Sequence, residues 1–129
     1  MDRKKILITG GHLTPALAVL DKLREKGDVT IIWAGQKHSQ LGDSNLSAEY
    51  NTITGLNILF IPLRTGKIIR NVSIKNLHLF ILNILKIIGG FLQAFVILVR
   101  NRPSVVLSFG GFLAVPIVVC AKLFRTPVV

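Results

Sequence analysis

Four short stretches of this chain are apolar almost throughout: Lys5–Thr9 (KILIT), Val29–Ala34 (VTIIWA), Ile58–Pro62 (ILFIP) and Val105–Phe109 (VVLSF). A strand with one face in water alternates apolar and polar residues, so an unbroken apolar run marks a strand covered on both faces. Helix-length segments separate the runs, and parallel strands require such crossovers, which are right-handed. The pattern predicts an α/β fold: a Rossmann-like parallel sheet with helices on both faces. Pro127–Val129 at the end of the chain reads as one more strand. A length of 129 residues suits a single domain with a real core.

Between the runs, Leu17, Leu20 and Leu23 recur at helical spacing in a segment that stops at Gly27. Pro15 fits its first turn, with Thr14 as the cap. Lys37 to Gly55 is polar, with Gly42, Asp43, Ser44 and Asn45, and reads as loop or short helix. Leu63 to Lys75 reads as a basic loop leading into a helix. Leu77 to Val99 (LHLFILNILKIIGGFLQAFVILV) is apolar enough for a membrane span. Against a span stand Asn83 and Lys86 near its middle, because a central lysine costs about 2.5–3.5 kcal/mol on insertion. Gly89-Gly90 also interrupts the run. The expectation is two helices, or one bent helix, packed on the sheet with an outer face toward lipid.

Charge is distributed unevenly. Residues 1–62 carry seven Lys/Arg and six Asp/Glu, whereas residues 63–129 carry nine Lys/Arg and no acid. The second half therefore faces something anionic: nucleic acid, anionic lipid or a phosphorylated ligand. Its only aromatic is phenylalanine, and its cations lie among leucines and isoleucines, which favours a lipid surface over stacked bases; no nucleic-acid partner is expected. With 50% hydrophobic and 17% charged residues the chain is too apolar for disorder. The single cysteine, Cys120, excludes an internal disulfide framework. No cleavable signal pattern opens the chain, and a cytoplasmic location is expected.

The chemistry concentrates in two glycine loops. Thr9-Gly10-Gly11-His12 follows the first strand and opens the first helix. Glycines there let backbone N–H groups approach an anion, and the helix N-terminus adds roughly half a positive charge. G-x-G-x-x-G is missing, and the second strand ends Ala34-Gly35-Gln36-Lys37 where a ribose-binding acid belongs, which argues against NAD or FAD. A P-loop fails as well, since Gly66-Lys67 has neither the upstream glycine nor a following Ser/Thr. His12 is a candidate general base, because its ordinary pKa near 6.5 suits taking a proton from a hydroxyl; a structural cap is the other reading. Ser108-Phe109-Gly110-Gly111-Phe112 repeats the strand–glycine–helix arrangement. Two anion-receptive helix ends on one sheet edge suit a diphosphate; the other reading is that Gly110 and Gly111 only permit close packing. His38 and His78 have no Cys or carboxylate at ligand spacing, so neither a metal nor a cofactor is expected.

Thr9-Gly10-Gly11-His12 with Pro15 and Ala18, Phe109-Gly110-Gly111-Phe112 with Pro116, and the closing Thr126-Pro127-Val128-Val129 together resemble glycosyltransferase family 28. That family includes the bacterial transferases that move N-acetylglucosamine from its UDP derivative to lipid-linked muramyl-pentapeptide. Two departures stand out: the family carries a further glycine-rich step where this chain has Leu7-Ile8, and tyrosine is commoner at the position of Phe112. The resemblance implies the N-terminal half of a GT-B fold, with residues 1–129 as an acceptor-side domain and the donor-binding C-terminal domain absent. The chain is then either a truncated fragment or half of a split enzyme, and is inactive alone. By the same resemblance, the activity is inverting transfer from UDP-GlcNAc to a lipid-linked diphosphate sugar, the lipid I to lipid II step of peptidoglycan synthesis. His12 would be the catalytic base. Thr9, Gly10, Gly11, Gly110, Gly111 and Phe112 would receive the acceptor diphosphate. Arg64, Lys67, Arg70 and Lys75 would dock the protein peripherally on the cytoplasmic face of an anionic membrane.

Overall fold

The four apolar runs are all strands in the computed structural model, which describes residues 3–39, 44–66 and 74–129. They are β1 (Lys4–Thr9), β2 (Val29–Gly35), β3 (Leu59–Pro62) and β4 (Val105–Ser108). All pair in parallel, in the order β3-β2-β1-β4. Central β1 aligns Ile8 with Trp33 on one side and with Leu107 on the other. Pro127–Val129, expected as a further strand, forms only an isolated parallel bridge beside β4, Val128 to Val106: Val106 N–H donates to the Pro127 carbonyl at 2.9 Å and Ser108 N–H to that of Val129 at 2.8 Å.

Among the described residues four helices cover the sheet: α1 (Leu13–Lys26), α2 (Ala48–Gly55), α3 (Leu77–Asn101), entered through a 3₁₀ turn at Ile74–Asn76, and α4 (Ala114–Leu123). Strand side chains alternate between two cores, which is why no strand shows a polar face. Ile6, Ile8 and Trp33 pack with Ala16 and Leu20 of α1 and Ile53 of α2. Leu7, Ile32 and Val106 pack on the other face with Ala94, Ile97 and Leu98 of α3 and Ile117 of α4. This is the helix–sheet–helix layering that doubly covered strands demand.

One local expectation is corrected and another is narrowed to one of its alternatives. Thr14 is not the cap of α1: the cap position belongs to His12, whose backbone is extended (φ −121°, ψ 98°), and Thr14 is already inside the first turn. α3 is one continuous helix of 25 residues, not two, running through Gly89-Gly90 without a break. Glycine in a helix costs about 1 kcal/mol relative to alanine. Here Gly90 is buried, and a Cβ on it would lie 2.5 Å from the Thr65 Oγ1, so its lack of a side chain admits the segment that follows β3. The polar segment after β2 resolves in part into α2, whose cap Ser47 accepts from the Tyr50 N–H at 3.0 Å.

Only part of α3 is committed to the core. Gly90, Ala94, Ile97 and Leu98 are buried, whereas Leu85, Ile88 and Leu92 stand 50–63% exposed. The stretch Ile74–Asn101 is long and apolar enough, by length and composition, to cross a membrane.

Candidate functional site

From β1 the chain winds outward through β2 to β3, then α3 carries it back over the sheet to place β4 on the opposite side of β1. Successive connections therefore diverge at the carboxyl ends of β1 and β4. Such a switch point leaves a crevice where open α/β sheets bind ligands. Both glycine loops sit there.

Gly11 (φ 141°), Gly110 (φ 86°) and Gly111 (φ 80°) all have backbone angles that side-chain-bearing residues rarely adopt. The loops also touch. A Cβ on Gly11 would collide with the Gly110 carbonyl oxygen, and one on Gly111 would lie 3.5 Å from the Gly11 Cα. A Cβ on Gly110 would stand 3.8 Å from His12 Cδ2, so the imidazole borders the junction of the two loops. Gly11, His12, Gly110 and Gly111 are all exposed. Neither α1 nor α4 receives a side-chain cap hydrogen bond, so no capping side chain occupies the N–H groups of either first turn. The exposed imidazole of His12 stands beside two exposed glycine loops that pack against each other.

Two of the expected contact residues, Thr9 and Gly10, are buried, and Phe112 is half-buried. Thr9 is fully buried, paired in the sheet with Ala34 and Ser108, and its hydroxyl has no hydrogen-bond partner among the described residues; it cannot touch a ligand in the crevice. Gly10 is buried too, and its N–H donates to the Ala34 carbonyl at 2.7 Å, which removes that donor from anion binding. Phe112 is half-buried and packs on the α3–α4 core. It forms a wall below the second loop. Of the basic residues, Arg64 and Lys75 are exposed, and Lys67 and Arg70 lie outside the described residues.

Glu49 is the site residue that sequence reasoning missed. It comes from the first turn of α2 and takes a hydrogen bond from Trp33 Nε1–H at 2.6 Å and another from the Gln36 N–H at 3.3 Å. Its carboxylate lies against Gly10 and Gly35, where a Cβ on Gly35 would come within 2.7 Å of it. Burial pushes the Glu49 pKa above its ordinary value, while the bonds from Trp33 and Gln36 pull the other way. In sequence, Ser47-Ala48-Glu49 signals only a helix start.

The family model of the glycosyltransferase family 28 N-terminal domain matches residues 9–129. The chain belongs to this family. Two relatives that share 35% identity with it are the UDP-N-acetylglucosamine–N-acetylmuramyl-(pentapeptide) pyrophosphoryl-undecaprenol N-acetylglucosamine transferases of Clostridium perfringens (strain SM101 / Type A) and Streptococcus mutans serotype c. The alignments cover 100% and 99% of this chain and 34% of each relative, so this family 28 chain spans about a third of their length. Among solved structures, MurG of Acinetobacter baumannii superposes with a TM-score of 0.69 at 23% identity, covering 97% of this chain and 33% of that one. The calicheamicin glycosyltransferase CalG4 gives 0.60 at 14% identity, covering 99% and 32%. These likenesses show the fold: the Rossmann-like N-terminal half of a GT-B architecture.

Proposed function

We propose that this family 28 chain is the acceptor-binding half of an inverting N-acetylglucosaminyltransferase whose acceptor is a lipid-linked diphosphate sugar, the lipid I to lipid II step. The observation that carries the reading is the meeting of two exposed glycine loops around His12 at the switch point between β1 and β4. In this reading the N–H groups of Gly11, Gly110 and Gly111, with the first turns of α1 and α4 behind them, hold the acceptor diphosphate. His12 takes the proton of the acceptor sugar hydroxyl as that oxygen attacks the anomeric carbon of UDP-N-acetylglucosamine and UDP leaves from the opposite face. Donor contacts and leaving-group stabilisation come from a donor-binding half outside these residues. Thr9 and Gly10 act from beneath, holding the loop in place.

The exposed apolar side of α3, with Arg64 and Lys75 exposed as well, supports peripheral docking on the cytoplasmic face of an anionic membrane, which brings a lipid-borne acceptor to the crevice. Titration calorimetry tests the assignment. The chain is expected to bind a short-chain analogue of the muramyl-pentapeptide diphosphate lipid and not UDP-N-acetylglucosamine. Binding of the nucleotide sugar without the acceptor would overturn it. With a donor-binding half supplied, His12→Gln is expected to lower turnover by about 10²-fold or more while acceptor affinity is kept; undiminished turnover would remove His12 from the chemistry.

A further inference from the structure

A cavity of about 540 Å³ opens at the same carboxyl edge of the sheet, on the β2–β3 side of the crevice. Phe112, next to Gly111, lines it, so the cavity adjoins the second glycine loop. Its size falls within the range of small-molecule sites and far exceeds what a lone phosphate fills. Lys37, Arg64 and Lys86 all line it, and no acidic side chain does among the described residues. The Lys37 ammonium is held 5.3 Å from the centroid of the Tyr50 ring. Gln93 accepts the Arg64 N–H through its Oε1 at 2.9 Å, which leaves its amide NH₂ as a donor. His38, also in the lining, has an Nδ1 that is buried without a hydrogen-bond partner among the described residues. Cations, amide donors and an apolar wall in one cavity select an anionic ligand that is partly apolar.

The helix narrows the choice of occupant. Lys86, Gly89 and Gln93 recur at three- and four-residue spacing and present one face of α3 to the cavity. Leu85, Ile88 and Leu92 form the exposed apolar side. At about 100° per residue the centres of the two faces lie just over a quarter of a turn apart. The cavity is lined from the sheet edge by Gln36, Lys37, Pro62 and Leu63, where the polar end of an acceptor would lie. We propose that this cavity binds the peptide borne by the acceptor sugar, with the free terminal carboxylate held by Lys37 and Lys86. The proposal rests on the acceptor reading above and extends it to a part of the substrate remote from the reacting hydroxyl.

The test is calorimetry of the full chain with three water-soluble analogues that share a short prenyl diphosphate and an N-acetylmuramyl sugar. One carries the peptide with a free C-terminal carboxylate, one carries it as the amide, and one lacks the peptide. The free acid is expected to bind about tenfold more tightly than the other two, the usual scale for one charge-assisted hydrogen bond. The double variant Lys37→Gln/Lys86→Gln, checked for an unchanged thermal melt, is expected to erase that difference and keep the affinity for the peptide-free analogue. Equal affinities for all three would overturn the cavity assignment and leave the acceptor reading standing. Failure of all three to bind would overturn both. Binding of a short-chain phosphatidylglycerol that the double variant abolishes would make the cavity a lipid headgroup site and likewise overturn the proposal.

Discussion

Glu49 shows how one side chain ties the sheet to the crevice. Its carboxylate receives Trp33 from the sheet core and rests on Gly10, whose successor Gly11 enters the exposed loop. Because burial raises its folded pKa above the ordinary 4.5, the folded state binds more protons than the unfolded state between those two values. Stability from this group is therefore fully present below pH 4.5 and declines as pH rises through the folded pKa. Glu49→Gln keeps an acceptor for Trp33 and removes the titration. The melting temperature of the wild type is expected to fall relative to that variant as pH climbs from 4.5, and a constant difference across that window would contradict the assignment. Gly11 makes a second residue-scale prediction. Gly11→Ala introduces both an unfavourable φ and a collision with the Gly110 carbonyl, so urea denaturation is expected to show a loss of more than about 1 kcal/mol.

At the scale of elements, α3 contains a built-in comparison. Gly89 and Gly90 are adjacent in one continuous helix, yet a Cβ on Gly89 meets open space and one on Gly90 meets the buried Thr65 side chain. Gly89→Ala is expected to stabilise the chain by roughly 0.5–1 kcal/mol through helix propensity alone. Gly90→Ala has the same propensity gain but must displace Thr65 or the β3-following segment, and a net loss is expected. Denaturant midpoints of the two variants read the contrast directly. Equal gains would mean that the approach of Thr65 to α3 is not what the glycine is for. The apolar length of α3 is divided between two sides: one fills the core against β1 and β4, and another remains exposed.

Across the whole molecule, charge and exposed apolar surface fall in the same half of the chain. Residues 63–129 carry every cation of the segment unopposed by acid, and α3 supplies the exposed leucines and isoleucines beside them. Each basic residue near an anionic leaflet contributes about 1 kcal/mol. The triple replacement of Arg64, Lys67 and Arg70 by glutamine is therefore expected to weaken binding to anionic vesicles by up to about a hundredfold in sedimentation assays. The salt dependence should shrink with it. Unchanged binding would sink the electrostatic part of docking. Replacing Leu85, Ile88 and Leu92 by glutamine is expected to weaken binding to neutral and anionic vesicles alike, since that contribution is hydrophobic.

The layered parallel sheet was legible in the sequence because double coverage is a local demand: each of the four strands had to be apolar on both faces wherever its neighbours came to lie. The loop glycines were legible for a similar reason, since a positive φ selects glycine regardless of context. Strand order is not local. The sequence by itself determined the strands, most of the helical segments and the glycine content of the two loops. The order β3-β2-β1-β4 decided that the loops meet, that Thr9 and Gly10 end beneath the surface they were expected to form, and that Glu49 reaches them from α2. The basic cavity likewise exists only in three dimensions, because its walls come from four separated segments that no spacing rule connects. Which groups share a site is settled by long-range packing of buried apolar surface, a property of the assembled chain and not of any window within it.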